Sequence, residues 1–206
     1  MILKVCGMRD PENIRAIEQL AIDWMGFIFY PKSKRYVADK DEAVVKAIHQ
    51  CRKEKVGVFV NAEPGEICKI ASLFRLNLLQ LHGNESAAQC QLLKDKQFKV
   101  IKAFSVETKD DLEKVHAYEE VVDFFLFDTK CEGYGGSGKR FDWSVLQAYQ
   151  GNTPFLLSGG ITLDSLLDIE QFQHPQMIGV DVNSGFEVSP AIKDVTKLRT
   201  FVQHFE

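Results

Sequence analysis

The sequence has no CxxC pair, and its five cysteines, Cys6, Cys51, Cys68, Cys90 and Cys131, are odd in number. It offers neither a disulfide framework nor a zinc cluster, so a reducing compartment is expected and no metal. No segment approaches a membrane span, and the apolar run in the opening MILKVCGMR is too short for a signal peptide. A cytoplasmic location without a membrane partner is the default expectation. No basic tail or Lys/Arg block accompanies the formal net charge of -4, so nucleic acid is not an expected partner, while a local anion site stays compatible with that charge. Low-complexity stretches and interdomain linkers are also missing. The 206 residues, 45% hydrophobic, therefore read as one domain spanning 1–206.

What is present is repetition of a simple kind. Apolar runs begin near residues 2, 24, 55, 76, 98, 122, 154 and 177, about 25 residues apart, and each is followed by helix-like periodicity. The runs are apolar throughout, as in a parallel sheet covered on both faces. Eight strand–helix units in one short chain predict a closed (β/α)8 TIM barrel with parallel strands. The competing reading is a doubly wound sheet in which two of the runs are buried helix segments. Asp10-Pro11 predicts a first helix to Leu20, capped by Asp10. Further helices are expected from Asp39 or Lys40 to His49, Lys109 to Tyr118, Asp142 to Tyr149 and Ser189 to Phe201.

In a barrel, every strand ends at the same face, where the active site lies. The tips here are Cys6-Gly7, Tyr30, Asn61, His82, Phe104, Asp128, Ser158-Gly159 and Asp181 with Asn183, most of them polar or reactive. The stretch DFFLFDTKCEGYGGSGKRFDW concentrates the signal: an apolar run stops on Asp128, and a loop with four glycines follows. Asp128 alone reads equally as a turn or cap residue. Cys6 alone reads as a small buried hydrophobe, or as a thiol base if a nearby cation or helix N-terminus lowers its pKa. Three glycine-bearing segments follow late strands: GYGGSGK at 133–139, SGG at 158–160 and NSG at 183–185. Late loops with exposed backbone N–H groups form the common barrel phosphate site, although glycines also serve tight turns. The first segment fits neither a Rossmann fingerprint nor a Walker A loop. Arg35, in YPKSKR, is either a solvated charge or a planar fork for a carboxylate. His82 reads as a supporting pocket residue or a loop cap, with no second strand-tip histidine to make a metal pair.

Together the segments KVCGMR (4–9), GFIFYPKSKRY (26–36), VGVFVN (56–61), LQLHG (79–83), FDT (127–129), YGGSGKRFDW (134–143), LSGGI (157–161) and VDVNSGFE (180–187) closely resemble the phosphoribosylanthranilate isomerase family of tryptophan biosynthesis. The resemblance runs along the whole chain. It implies an Amadori rearrangement of a small phosphorylated aminosugar, with no metal or organic cofactor, on a monomer or homodimer. It implies Cys6 as catalytic base and Asp128 as catalytic acid, with Arg35 on the substrate carboxylate. Phosphate would fall to Gly136, Ser137 and Gly138, to Gly159 and Gly160, and to Asn183, Ser184 and Gly185. His82 and Asp181 would support. The chain departs from the family pattern at Ala191, where PGxKD is common, and at Asn183, where serine is frequent. A lyase-type indole closure on the same barrel would want a lysine with glutamates at strand tips, and Lys4 and Lys102 have no such tip beside them in sequence. A barrel kept as a binding or scaffold subunit is the non-enzyme alternative.

Overall fold

The computed structural model describes residues 1–38, 41–129 and 143–206. Its core is a closed barrel of eight parallel strands in sequence order, β1 to β8. These are Ile2–Val5, Trp24–Ile28, Glu54–Phe59, Leu78–Leu81, Lys99–Val106, Phe124–Thr129, Phe155–Ser158 and Met177–Val182. Closure is made by β1 on β8, with Ile2 opposite Gly179 and Val5 opposite Val182.

Alternation along the strands divides the apolar residues into two cores. Trp24, Val56, Leu78, Ile101, Ala103, Leu126 and Leu156 form one cluster. Two residues further along the same faces come Gly26, Val58, Gln80, Asp128 and Ser158. The barrel interior is thus greasy at its base and polar at its C-terminal mouth. The other faces, such as Phe125, Phe127, Phe155 and Val180, belong to the larger core shared with the helices.

The helices are Pro11–Glu18 (α1), Glu42–Gln50 (α2), Pro64–Phe74 (α3), Ala87–Asp95 (α4), Lys109–Glu113 (α5), Leu166–Gln171 (α6) and Val195–Gln203 (α7). Each long one buries a stripe, and all but α3 start on a side-chain cap. The Asp10 side chain accepts from Asn13 N–H at 2.8 Å, and Asn13, Ile14 and Ile17 are the buried residues of α1. Asp41 caps α2, Ser86 and Gln89 make a capping box on α4, and Asp194 caps α7.

Several expected helices differ. The first stops at Glu18, not Leu20. The start expected at Asp39 or Lys40 lies outside the described residues, and the helix proper begins after Asp41. The stretch after Lys109 turns into a 3₁₀ helix at Lys114–Tyr118, and Trp143–Ala148 is 3₁₀ as well, with Asp142 outside the described residues. The last helix begins at Val195, six residues later than expected. Its place is taken by a hairpin of β9 (Glu187–Ser189) and β10 (Ile192–Lys193). Pro190 and a left-handed Ala191 (φ 70°) turn the chain. Asn13 then holds the Lys193 backbone from both sides, accepting from its N–H at 2.8 Å and donating to its carbonyl at 2.9 Å. A helix cannot begin until that clamp is passed.

Candidate active site

A cavity of about 190 Å³ opens at the C-terminal mouth, lined by Cys6, Gln80, His82, Asp128, Gly159, Gly160, Asp181, Asn183, Ser184 and Gly185 among others. The residues singled out at the tips of β1, β4, β6, β7 and β8 therefore meet in one place. Tyr30, Asn61 and Phe104 do not line it. Asn61 instead accepts from Asn84 N–H at 2.7 Å, and Phe104 packs edge-on against Tyr118. Gly136, Ser137 and Gly138 lie outside the described residues. Gly185 lies so close to the Ile161 carbonyl that a β-carbon there would sit 2.2 Å from it, so the loops after β7 and β8 form one wall.

Cys6 follows β1 directly, its N–H bonded to Val182 carbonyl at 2.9 Å. Room for the thiol is provided by Gly26 on β2, where a β-carbon would come within 2.8 Å of the sulfur. The condition attached to the thiol-base reading, a lowered pKa, is not met in the free site. Burial pushes it up, against the pull of Lys4 and Lys193, so the free site holds a thiol raised above its ordinary value. The nearby cations limit the rise without reversing it.

Asp128 closes the inward face of β6, beyond Phe124 and Leu126. Its side chain is 33% exposed. His82 Nε2 stands 3.8 Å from Asp128 Oδ2. On the other side of the ring, Gln80 Nε2 lies within hydrogen-bond distance of His82 Nδ1, at 2.8 Å. The Gln80 carbonyl oxygen has no partner among the described residues, although it is buried beside the cavity.

Arg35 does not line the cavity; it packs over Gly7, whose φ of 78° and missing β-carbon let it approach. Its guanidinium is already engaged by Glu187, Nε to Oε1 at 2.7 Å and Nη2 to Oε2. Lys193 Nζ donates to the same Glu187 Oε1 at 2.7 Å and to Asn183 Oδ1 at 2.7 Å. Burial raises the Glu187 pKa, but the hydrogen bonds from Arg35 and Lys193 outweigh it and hold the carboxyl at about 2.

Sequence reasoning missed Gln80, Glu187, Lys193 and Lys4. Lys4 and Lys193 are wholly buried, Lys4 paired to Asp181 at 2.8 Å. The available signal was a lysine interrupting an otherwise apolar strand. Lys102 finds a glutamate partner at a distance in sequence, Glu85, at 3.1 Å. That pair is buried and neither member lines the cavity, so it does not supply the tip arrangement of a ring-closing lyase.

The architecture and the gathering of polar strand tips at one mouth place the chain in the class of (β/α)8 barrels with a candidate active site at the C-terminal face. Comparison with known proteins narrows the class. The sequence model described as N-(5'phosphoribosyl)anthranilate (PRA) isomerase matches residues 3–204. An N-(5'-phosphoribosyl)anthranilate isomerase from Parabacteroides distasonis is 54% identical over 204 residues, covering 98% of this chain and 92% of its relative. The crystal structure of the Thermotoga maritima isomerase superposes with a TM-score of 0.85 at 34% identity, covering 99% of this chain and 98% of the other. A phosphoribosyl anthranilate isomerase in complex with reduced 1-(o-carboxyphenylamino)-1-deoxyribulose 5-phosphate gives the same TM-score, 0.85, and the same coverages at 32% identity. The chain belongs to the N-(5'-phosphoribosyl)anthranilate isomerase family. It isomerises N-(5'-phosphoribosyl)anthranilate to 1-(2-carboxyphenylamino)-1-deoxyribulose 5-phosphate in tryptophan biosynthesis.

Proposed function

We propose that Cys6 is the base and Asp128 the acid of this isomerisation, within a single catalytic domain covering 1–206. The observation that carries the assignment is that both line one cavity at the barrel mouth, together with the glycine loops after β7 and β8. The reaction needs two proton transfers at different atoms. Asp128 gives a proton to the ring oxygen as the C1–O bond breaks, and the nitrogen lone pair forms the C1=N bond. Cys6, as thiolate, then takes the proton from C2. The S–H bond forms, the C2–H bond breaks, and its electron pair moves through C1 to the iminium nitrogen. The resulting enamine-enol tautomerises to the ketone. His82, bonded to Gln80 at 2.8 Å, stands beside the acid at 3.8 Å.

Two such groups work on one sugar only if its ends are pinned. The anthranilate carboxylate goes to Arg35. The phosphate goes to Gly159 and Gly160, to Asn183, Ser184 and Gly185, and to Gly136, Ser137 and Gly138. The enzyme takes a small phosphorylated aminosugar, with neither nucleic acid nor membrane as partner. No helix among the described residues is long and apolar enough to cross a membrane.

The test is turnover read as loss of phosphoribosylanthranilate fluorescence in the wild type, Cys6→Ser and Asp128→Asn. Each variant should fold, bind a reduced product analogue and lose about 10²–10⁴-fold in kcat/KM. Near wild-type turnover in Cys6→Ser would return Cys6 to a packing role.

A further inference from the structure

The interior of β1 carries Lys4, a wholly buried lysine to which the scheme above gives no task. It lies on the same strand face as Cys6, two residues earlier. The strand register sets it directly opposite Asp181 on β8, and its Nζ donates to Asp181 Oδ1 at 2.8 Å. We propose that Lys4 is a positioning residue for the reaction: its ammonium, anchored by Asp181, stabilises the thiolate form of Cys6.

Stability alone is a poor reason for such a pair. Taking two charges out of water costs several kcal/mol per ion, and apolar residues of similar volume often replace a buried pair without loss. Lys4 lies where the inward faces pass from apolar to polar, beneath the cavity that Cys6 lines. Burial lowers its pKa, but Asp181 and Cys6 together outweigh that, so the ammonium is kept charged.

The charged groups facing Cys6 come from four elements. Lys4 on β1 acts on the thiol most strongly, followed by Asp181 on β8 and Lys193 on β10, while Arg35 reaches it from the loop after β2. Across the cavity, His82 and Asp128 act on Asp181. With Cys6 ionised, the Lys4 ammonium faces an anion on each side and serves both. When the thiolate takes the C2 proton, the Lys4–Asp181 pair is left balanced. Lys4 itself transfers nothing. The catalytic consequence rests on the reading of Cys6 as base.

The experiment follows iodoacetamide alkylation of Cys6 against pH in the full chain. It is read on the Cys6 peptide by mass spectrometry, so that other cysteines do not enter. Lys4→Met removes the ammonium. Lys4→Met with Asp181→Leu removes the pair together and guards against loss of fold from a stranded carboxylate. Lys4→Met should raise the alkylation midpoint by about one pH unit or more, roughly tenfold less thiolate at a given pH, and the double variant should raise it by less, because it also removes the Asp181 carboxylate that disfavours the thiolate. The acid limb of kcat/KM should move with it. A midpoint that stays at the wild-type value in a folded variant overturns the proposal and leaves Lys4 a purely structural residue. A midpoint that moves while the kcat/KM profile does not upholds the hold of Lys4 on the thiol and overturns the base assignment of Cys6.

Discussion

Arg35 gives Glu187 the side of its guanidinium, Nε and Nη2, and keeps Nη1 turned away from that carboxylate. Among the described residues the side chain makes no other hydrogen bond. A fork held along one edge can still accept a second carboxylate end-on. Arg35→Ala should therefore weaken a carboxylate-bearing product analogue by roughly 2–5 kcal/mol. A carboxylate-free analogue should lose much less, and Arg35→Lys should not restore the difference. Calorimetry with both analogues decides it, and equal losses would make Arg35 a general electrostatic group.

Glu187 should make stability fall in acid. Its folded pKa of about 2 lies below the ordinary 4.5. The contribution is complete above the unfolded value and disappears as pH falls through the folded one, up to about 3 kcal/mol in all. Urea unfolding of the wild type and Glu187→Gln should differ at pH 5 and converge toward pH 2. A gap constant across that range would contradict the ion-pair account.

Isotope exchange separates the two proton transfers from binding. In deuterated water, neither Asp128→Asn nor Cys6→Ser should bring deuterium quickly into C2 of recovered substrate. The first lacks the open Schiff base, and the second has it without the base. A reduced, ring-opened product analogue bypasses the first task of Asp128 and should bind both variants tightly. Rapid exchange in Cys6→Ser would send the search for the base elsewhere at the mouth.

Lys102 fastens the loop after β4. Its ammonium donates to the carbonyls of Leu81 at 3.2 Å, Gly83 at 2.8 Å and Ala103 at 3.1 Å, and to Glu85 Oε2 at 3.1 Å. Lys102→Met strands a buried carboxylate and should cost about 3–5 kcal/mol. Chemical denaturation measures it, and a loss below 1 kcal/mol would indicate that water or local rearrangement replaces the lysine.

Ala191 stands in the left-handed region at φ 70°, buried, with its N–H donated to Glu187 Oε1 at 3.1 Å. The β-carbon penalty there is roughly 1–2 kcal/mol. Glycine gives back roughly 0.5–1 kcal/mol through unfolded-state freedom. Ala191→Gly should stabilise by up to about 1 kcal/mol in denaturant unfolding, with kcat/KM unchanged. A destabilised Ala191→Gly protein would show that methyl packing dominates.

The barrel was legible because strands buried on both faces write themselves as apolar runs, and Asp128 stood out because its run stops there. Cys6, His82, Asp181 and the glycines of β7 and β8 were legible as strand tips once the barrel set all tips on one face. Lys4 was visible only as an interruption, since Asp181 is 177 residues away. Arg35 was readable as a fork, but not as one already occupied by Glu187. The last helix, expected from Ser189, begins only at Val195, where the Asp194 side chain supplies the cap. Gln80 gave no cue, because a polar residue inside β4 is indistinguishable from an outward one until the face is known.

The clamp of Asn13 on the Lys193 backbone has a consequence for the order of events in folding. Lys4 with Asp181, Arg35 with Glu187, and Asn13 with Lys193 all join the first forty residues to the last thirty. The catalytic mouth is thus stitched along the seam where the barrel shuts, by its most non-local contacts, which bear the greatest loop-closure entropy. During synthesis the contacts of this seam can form only once the final strand and hairpin have emerged.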